Sequence, residues 1–188
     1  MSIVPPTKSR LIVRRNGRAI TGTIPKPVVI VDTREQLPLS FDKFPNWIAG
    51  EKVATLKVAD YSVEGMESIM AIERKSLPDL LGTLTHRRPE FFRMCEKLAD
   101  FRWKAILIEA TYEELKSPYT GTFSSSHPNG IVGTVDAVEA KFGIPIIYTS
   151  SNRALVEEKA ASWLSKHYTY YHLETNGLGR VLQDDDGL

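Results

Sequence analysis

Residues 70–81 read MAIERKSLPDLL, an apolar run that ends in three consecutive charges and passes at once into a helix signal. Strand side chains alternate, so Glu73 and Lys75 share one face while Ile72 and Arg74 share the other. Ser76 and Asp79 have the spacing of a capping box, and Leu77, Leu80, Leu81 and Leu84 form an apolar stripe at helical spacing. A strand feeding straight into a helix is a building unit of α/β domains. Its charged end is either a salt-bridged edge turning into solvent or the chemical centre of the molecule.

Upstream, VVIVDT (28–33) is a short β-branched run, as expected of a strand buried on both faces. Residues 51–63 and 67–75 read as two further strands joined near Glu64-Gly65-Met66 into a hairpin. Downstream, a second helix is predicted from about Pro89, with Phe91, Phe92, Cys95, Leu98 and Ala99 at helical spacing. WKAILIEA (103–110) is again a buried strand, and Thr111 with Glu114 opens a short helix. Residues 117–130 form a long polar loop. A helix follows to Gly143, well placed as its cap, then the strand IPIIYT and a long helix from Ser150 or Ser151. Strand, hairpin, helices, strand, helices, strand and helix in that order predict an α/β domain, a mixed sheet with helices on both faces.

The chain has 188 residues, enough for one domain with a sizeable core and too few for two ordinary ones. With 42% hydrophobic and 25% charged residues it has the composition of a globular protein. The N-terminus lacks the apolar core of a signal peptide, and no run approaches a bilayer span, so an intracellular location is expected, cytoplasmic or nuclear. One cysteine, Cys95, excludes an internal disulfide and reads as a packed core thiol. The net charge of +1 conceals a basic leader: residues 1–27 hold six Lys and Arg and no acid, leaving −5 for the remainder. A basic arm suits a polyanionic partner, although a solvated leader would have the same composition. Within it, Asn16-Gly17 between two apolar-polar runs predicts a β-hairpin turn. The tail from 174 is acidic and expected to fray.

Asp60 ends the strand preceding the hairpin. Were it opposite Ala71, it would be a diagonal neighbour of Glu73 on one face, close enough for both carboxylates to reach a single Mg²⁺. A one-residue slip would part them. Two acids and Lys75 on one face suit phosphodiester hydrolysis: carboxylates hold a hard cation, and the lysine orients water or offsets phosphate charge. Asp32 lies at the C-terminal end of the first strand, with Arg34 and Glu35 beyond it, where ligand groups collect in α/β folds. Asp79 lies one helical turn past Lys75, and Arg87 and Arg88 open the next helix, placed to hold a phosphate backbone. Each has a plain structural alternative as a salt bridge or a solvated turn. The histidines 86, 127, 167 and 172 lack zinc-ligand spacing, and His127 lies in the polar loop. Trp163, Tyr168, Tyr170 and Tyr171 form either a dimer surface or core packing.

Taken together, DTREQ, ADY, AIERKSLPDLL and RRPEFFRMCEKL resemble the nuclease domain of the XPF-type structure-specific endonucleases. That family is marked by Asp-x-Arg-Glu, Gly-Asp and Glu-Arg-Lys-x-x-x-Asp. Asp32 to Glu35 match the first and Glu73 to Asp79 the last; Asp60 matches the second, with Ala59 in place of glycine. The resemblance covers roughly residues 28–150. It implies a restriction-endonuclease-like three-layer fold over residues 28–173, a Mg²⁺- or Mn²⁺-dependent cut, and branched, flap or fork DNA of repair or recombination as substrate. By position it implies Asp32, Glu35, Asp60 and Glu73 as the acidic site, with Asp32, Asp60 and Glu73 on the metal and Lys75 catalytic. Arg74 is the family's central arginine, assigned to support or DNA contact, and Arg34, Arg87 and Arg88 are the further DNA-binding residues. The helix-hairpin-helix module common in such nucleases has no counterpart in this sequence, so the expectation is either a homodimer or partner subunit supplying DNA-binding domains or a minimal nuclease whose basic leader provides DNA affinity. The competing readings are a nuclease of this fold without structure preference and a non-catalytic DNA-binding scaffold.

Overall fold

The computed structural model describes residues 14–15, 17–19, 24–119 and 126–176. Two short strands, β1 (Arg14–Arg15) and β2 (Arg18–Ala19), pair antiparallel as the Asn-Gly signal predicts. Gly17 between them has φ 72°, the left-handed conformation such a turn requires. Residues 1–13, 16 and 20–23 of the basic leader, the loop residues 120–125 and the tail from 177 lie outside the described residues.

The domain is built on a six-stranded mixed sheet. Its strands are β3 (Val28–Asp32), β4 (Gly50–Ala54), β5 (Tyr61–Val63), β6 (Met70–Ser76), β7 (Trp103–Glu109) and β8 (Ile146–Tyr148). Their spatial order is β4-β3-β5-β6-β7-β8. The β3–β4, β6–β7 and β7–β8 pairs are parallel, and β5 is antiparallel to both its neighbours. The helices are α1 (Leu77–His86), α2 (Arg88–Ala99), α3 (Tyr112–Lys116), α4 (Pro128–Phe142) and α5 (Arg153–Thr175). None of the helices in the described residues is long and apolar enough to cross a membrane.

The two faces of the sheet bury separate cores, and strand alternation decides which residue joins which. Val29, Val31, Tyr61, Val63, Met70, Ile72 and Leu107 pack with Val156, Ala160, Ala161 and Leu164 of α5 and with the β3–β4 connection. Trp163, Tyr168 and Tyr171 lie half-buried against that core. On the other face Ala71, Ile106 and Ile108 meet Leu80, Leu81 and Leu84 of α1, Phe91, Cys95 and Leu98 of α2, and Val132, Val135 and Val138 of α4. This is the expected three-layer arrangement.

Local signals end the elements as predicted. Ser76 Oγ accepts the Asp79 N–H at α1, Thr111 and Glu114 close a capping box at α3, and Gly143 caps α4 in the left-handed conformation. The long helix starts from an Asn152 cap, just after the predicted serines. His127, in the predicted polar loop, caps α4 by accepting the Asn129 N–H.

One expected element divides. Residues 51–63 are two strands on opposite sides of β3, not one. The edge strand β4 runs parallel to β3, and the chain then wraps around the end of β3 to return antiparallel as β5. Three hydrogen bonds fix the wrap: Thr33 N–H to the Ala54 carbonyl, Asp32 N–H to the Asp60 carbonyl, and Leu56 N–H to the Asp32 carboxylate at 2.6 Å. Ala59 completes the turn at φ 66°, in the left-handed region that costs a side-chain-bearing residue about 1–2 kcal/mol.

Candidate active site

Alternation sends Asp32, with Ile30, and Glu73 and Lys75, with Ala71, to the α1–α2 face of the sheet. Asp60 joins them through the hairpin, though not in the register expected. Tyr61 is the bridge partner of Ile72, which brings Asp60 level with Glu73 instead of Ala71. The Asp60 N–H donates to the Ile72 carbonyl at 3.0 Å, and the Arg74 N–H donates to Asp60 Oδ2 at 2.7 Å. Those bonds bracket Glu73, so Asp60 sits beside it instead of diagonally across from it. The displacement from the predicted pairing is two residues, and an even shift preserves the face.

Asp32, Asp60 and Glu73 line one cleft of about 410 Å³. Their electrostatic states differ. Burial raises the Asp32 pKa, but hydrogen bonds from Arg34 and from the Leu56 and Arg34 N–H groups outweigh it and hold the carboxyl below its ordinary value. Arg34 reaches both oxygens, Nε to Oδ1 at 2.6 Å and Nη2 to Oδ2 at 3.1 Å. Asp60 is the opposite case: burial first, then the Glu73 charge, push it up to about 8. Burial also raises Glu73, against the pull of Lys75. Lys75 Nζ lies 3.1 Å from Glu73 and 2.8 Å from Asp79. Burial disfavours its charge, yet these acids raise its pKa above the ordinary value, so it stands as an ammonium.

Among the described residues no hydrogen bond reaches Asp60 Oδ1 or Glu73 Oε2. Half-buried Asp60 and buried Glu73, adjacent and each with a free oxygen, suit a divalent cation, because a cation offsets the desolvation and repulsion that favour protonation. Mg²⁺ is commonly held by one or two carboxylates with water and phosphate completing its shell. No set of three His, Cys, Asp or Glu side chains among the described residues is arranged to hold an ion. Asp32 is committed to Arg34 and Leu56, which leaves the Asp60–Glu73 pair as donors.

Glu35 and Arg74 lie on the opposite face. Arg74 reaches Glu35 with Nε and Nη2 at 3.1 and 3.0 Å and Glu109 with Nη1 at 2.7 Å. Its side chain is only 10% exposed, so it is a buried strut and offers nothing to a ligand. Burial raises the Glu35 pKa, but Arg74 more than offsets this and holds it below the ordinary value. Arg153 of α5 bonds Glu109 and the Leu37 carbonyl, tying the loop after β3 to the helix layer. Of the other arginines, Arg87 pairs with Asp79 at 3.0 Å and Arg88 lies over the Phe92 ring. The residues that sequence reasoning missed are Glu109, Arg153 and the Leu56 N–H. Glu109 was visible as an acid at a strand end; the other two depend on tertiary contacts.

Residues 31–161 match the family described as the ERCC4 domain. Over 127 residues the chain is 27% identical to a Methanocaldococcus jannaschii protein named as an ATP-dependent RNA helicase. That alignment takes in 67% of this chain and 14% of the relative, so the chain spans a small part of that protein's length. Among solved structures, XPF from Aeropyrum pernix is similar with a TM-score of 0.57 at 18% identity, covering 81% of this chain and 69% of that one. The likeness shows the fold, a restriction-endonuclease-like sheet with helices on both faces.

Proposed function

The chain belongs to the ERCC4-domain family, and from that membership we propose that it is a metal-dependent DNA endonuclease acting at branched, flap or fork structures in repair or recombination. The observation that carries the reading is the Asp60–Glu73 pair: a half-buried and a buried carboxylate, adjacent in one cleft, each with a free oxygen, beside a charged Lys75. Asp60 and Glu73 hold a Mg²⁺ or Mn²⁺ ion. When bound, the ion supplies Lewis-acid stabilisation of phosphoryl charge and lowers the pKa of attacking water. Lys75 places a fixed positive charge at the reacting phosphate, held there between Glu73 and Asp79. Arg34 and Asp32 form a rigid clamp that fixes the 55–60 turn and so the position of Asp60.

The working unit on this reading is residues 28–173, with the basic leader adding DNA affinity and a second copy or partner subunit supplying further DNA-binding domains. Cleavage of linear duplex, flap, fork and four-way junction DNA, with Mg²⁺ or a chelator, tests the proposal. Preferential Mg²⁺-dependent cutting of a branched substrate supports it. Equal cutting of linear duplex would leave a nuclease without structure preference. The scaffold reading draws on the engagement of both Asp32 oxygens by Arg34 and Leu56; binding without cutting under either metal would establish it.

A further inference from the structure

The cleft has a basic wall that the acids do not account for. It is lined by Asp32, Asp60, Glu73 and Glu90 and by Arg34, Lys57, Arg93 and Lys97. Two of the bases are spoken for: Arg34 by Asp32, and Arg93 by Glu90 at 3.0 Å on the surface of α2. Lys57 and Lys97 make no ion pair among the described residues. Arg93 and Lys97 are four apart on α2, hence neighbours on one helix edge, with half-buried Met94 between them in the cleft wall. Lys57 faces the cleft from the 55–60 turn, which the Asp32 carboxylate anchors one residue earlier through Leu56. The bases therefore line the cleft from two elements, α2 and the 55–60 turn, together with the Asp60 and Glu73 carboxylates.

We propose that Lys57, Arg93 and Lys97 are positioning residues that grip phosphates of the DNA strand on either side of the scissile bond. This rests on reading the cleft as a DNA-cleaving site. A polyanion satisfies both unpaired bases at once: its phosphates neutralise Lys57 and Lys97 and draw Arg93 from its exposed pair with Glu90, which is worth little. The lining contains no aromatic side chain on which a base could stack and no Asn or Gln to read a base edge. The grip is thus on the backbone and independent of sequence, and selection among DNAs comes from where a strand can enter.

The test is anisotropy binding of fluorescein-labelled flap DNA in EDTA, from about 50 to about 200 mM KCl, with the full chain and the K57Q/R93Q/K97Q variant. Each lost phosphate contact reduces the salt slope by about 0.7–0.9, so the triple variant should lose about two from the slope and bind at least about tenfold more weakly. All three side chains are exposed, and circular dichroism confirms folding; K97E alone, which leaves α2 intact, should weaken binding in the same direction. In steady-state cleavage K97Q should raise KM more than it lowers kcat. Flaps of poly-dT and of mixed sequence should bind within about twofold of each other. A folded triple variant with wild-type affinity and slope overturns the grip even if the wild type cleaves. A strong sequence preference in the wild type, or no DNA binding by it, overturns the grip too. A wild type that binds through these residues and never cleaves sustains the grip while the endonuclease reading falls.

Discussion

Replacing Arg74 by methionine should be among the most damaging single changes to stability, without Arg74 itself meeting DNA. Its guanidinium makes two hydrogen bonds to Glu35 and one to Glu109, with side-chain exposures of 10, 8 and 15% for the three residues. Arg74→Met leaves the buried Glu35 carboxylate without its guanidinium, keeping only the Leu37 N–H at 2.8 Å, while Glu109 keeps Arg153 at 3.2 Å. Removing one member of a buried pair costs about 3–5 kcal/mol. Because Glu109 stays paired, the lower half of that range is expected. Glu35 makes the loss pH-dependent. In the wild type its depressed pKa contributes stability above the unfolded carboxylate value and loses it as pH falls. In the variant Glu35 loses the guanidinium that chiefly offset its burial, so its pKa rises and acid relieves the penalty. Both effects shrink the difference between the proteins as pH drops from about 7 towards 4. Urea unfolding followed by circular dichroism at both ends of that window measures it. Glu35→Met in the same chain should restore at least about 2 kcal/mol, since replacing both partners by apolar groups removes the stranded charge. A loss below about 1 kcal/mol at pH 7, or one that does not change with pH, would refute the strut assignment.

Asp60→Asn removes one of two crowded carboxyls, so it should raise the metal-free melting temperature, by about 2–4 °C for each kcal/mol relieved, and abolish the stabilisation that Mg²⁺ gives the wild type in a thermal-shift titration. Ala59→Gly should stay within about 1 kcal/mol of wild type, because the lost methyl is offset by relief of the left-handed strain, whereas Ala59→Val should cost more than about 2 kcal/mol; urea midpoints decide, and a costlier glycine would contradict the strain. Tyr61→Phe strands the buried Leu39 N–H, which donates to the tyrosine hydroxyl at 2.8 Å, and should cost about 1–3 kcal/mol in the same assay. Cys95 is fully buried with its thiol pushed up to about 12, chiefly by burial; a disulfide reagent at pH 8 should titrate no thiol in the native protein and one in urea.

The strand-to-helix passage at 70–81 was legible because every signal there is local. Alternation alone puts Glu73 and Lys75 on one face, and Ser76 marks the helix start without reference to distant residues. The same alternation put Asp60 on their face, yet it could not separate a pairing with residue 71 from one two positions on, since both leave the face unchanged. The division of residues 51–63 was hidden for a related reason. EKVATLKVADYSV stays strand-like throughout, and what breaks it is the grip of the Asp32 carboxylate on Leu56, 24 residues away. Glu35 shows the limit most plainly. Its motif places it beside Asp32, but Arg74, 39 residues later, draws it to the other face of the sheet. Lys57, Arg93 and Lys97 look like ordinary surface charges in the sequence and gain meaning only from the cleft they share.

Metal-dependent cutting is the direct test of the central claim. A flap DNA labelled at one end should be nicked by the full chain in Mg²⁺ or Mn²⁺, and excess EDTA should abolish the cut. Glu73→Gln should bind the same DNA with unchanged affinity and lose at least about a hundredfold in kcat. Cutting that survives EDTA, or that proceeds at the wild-type rate in Glu73→Gln, would contradict the assignment of the Asp60–Glu73 pair as the catalytic metal site.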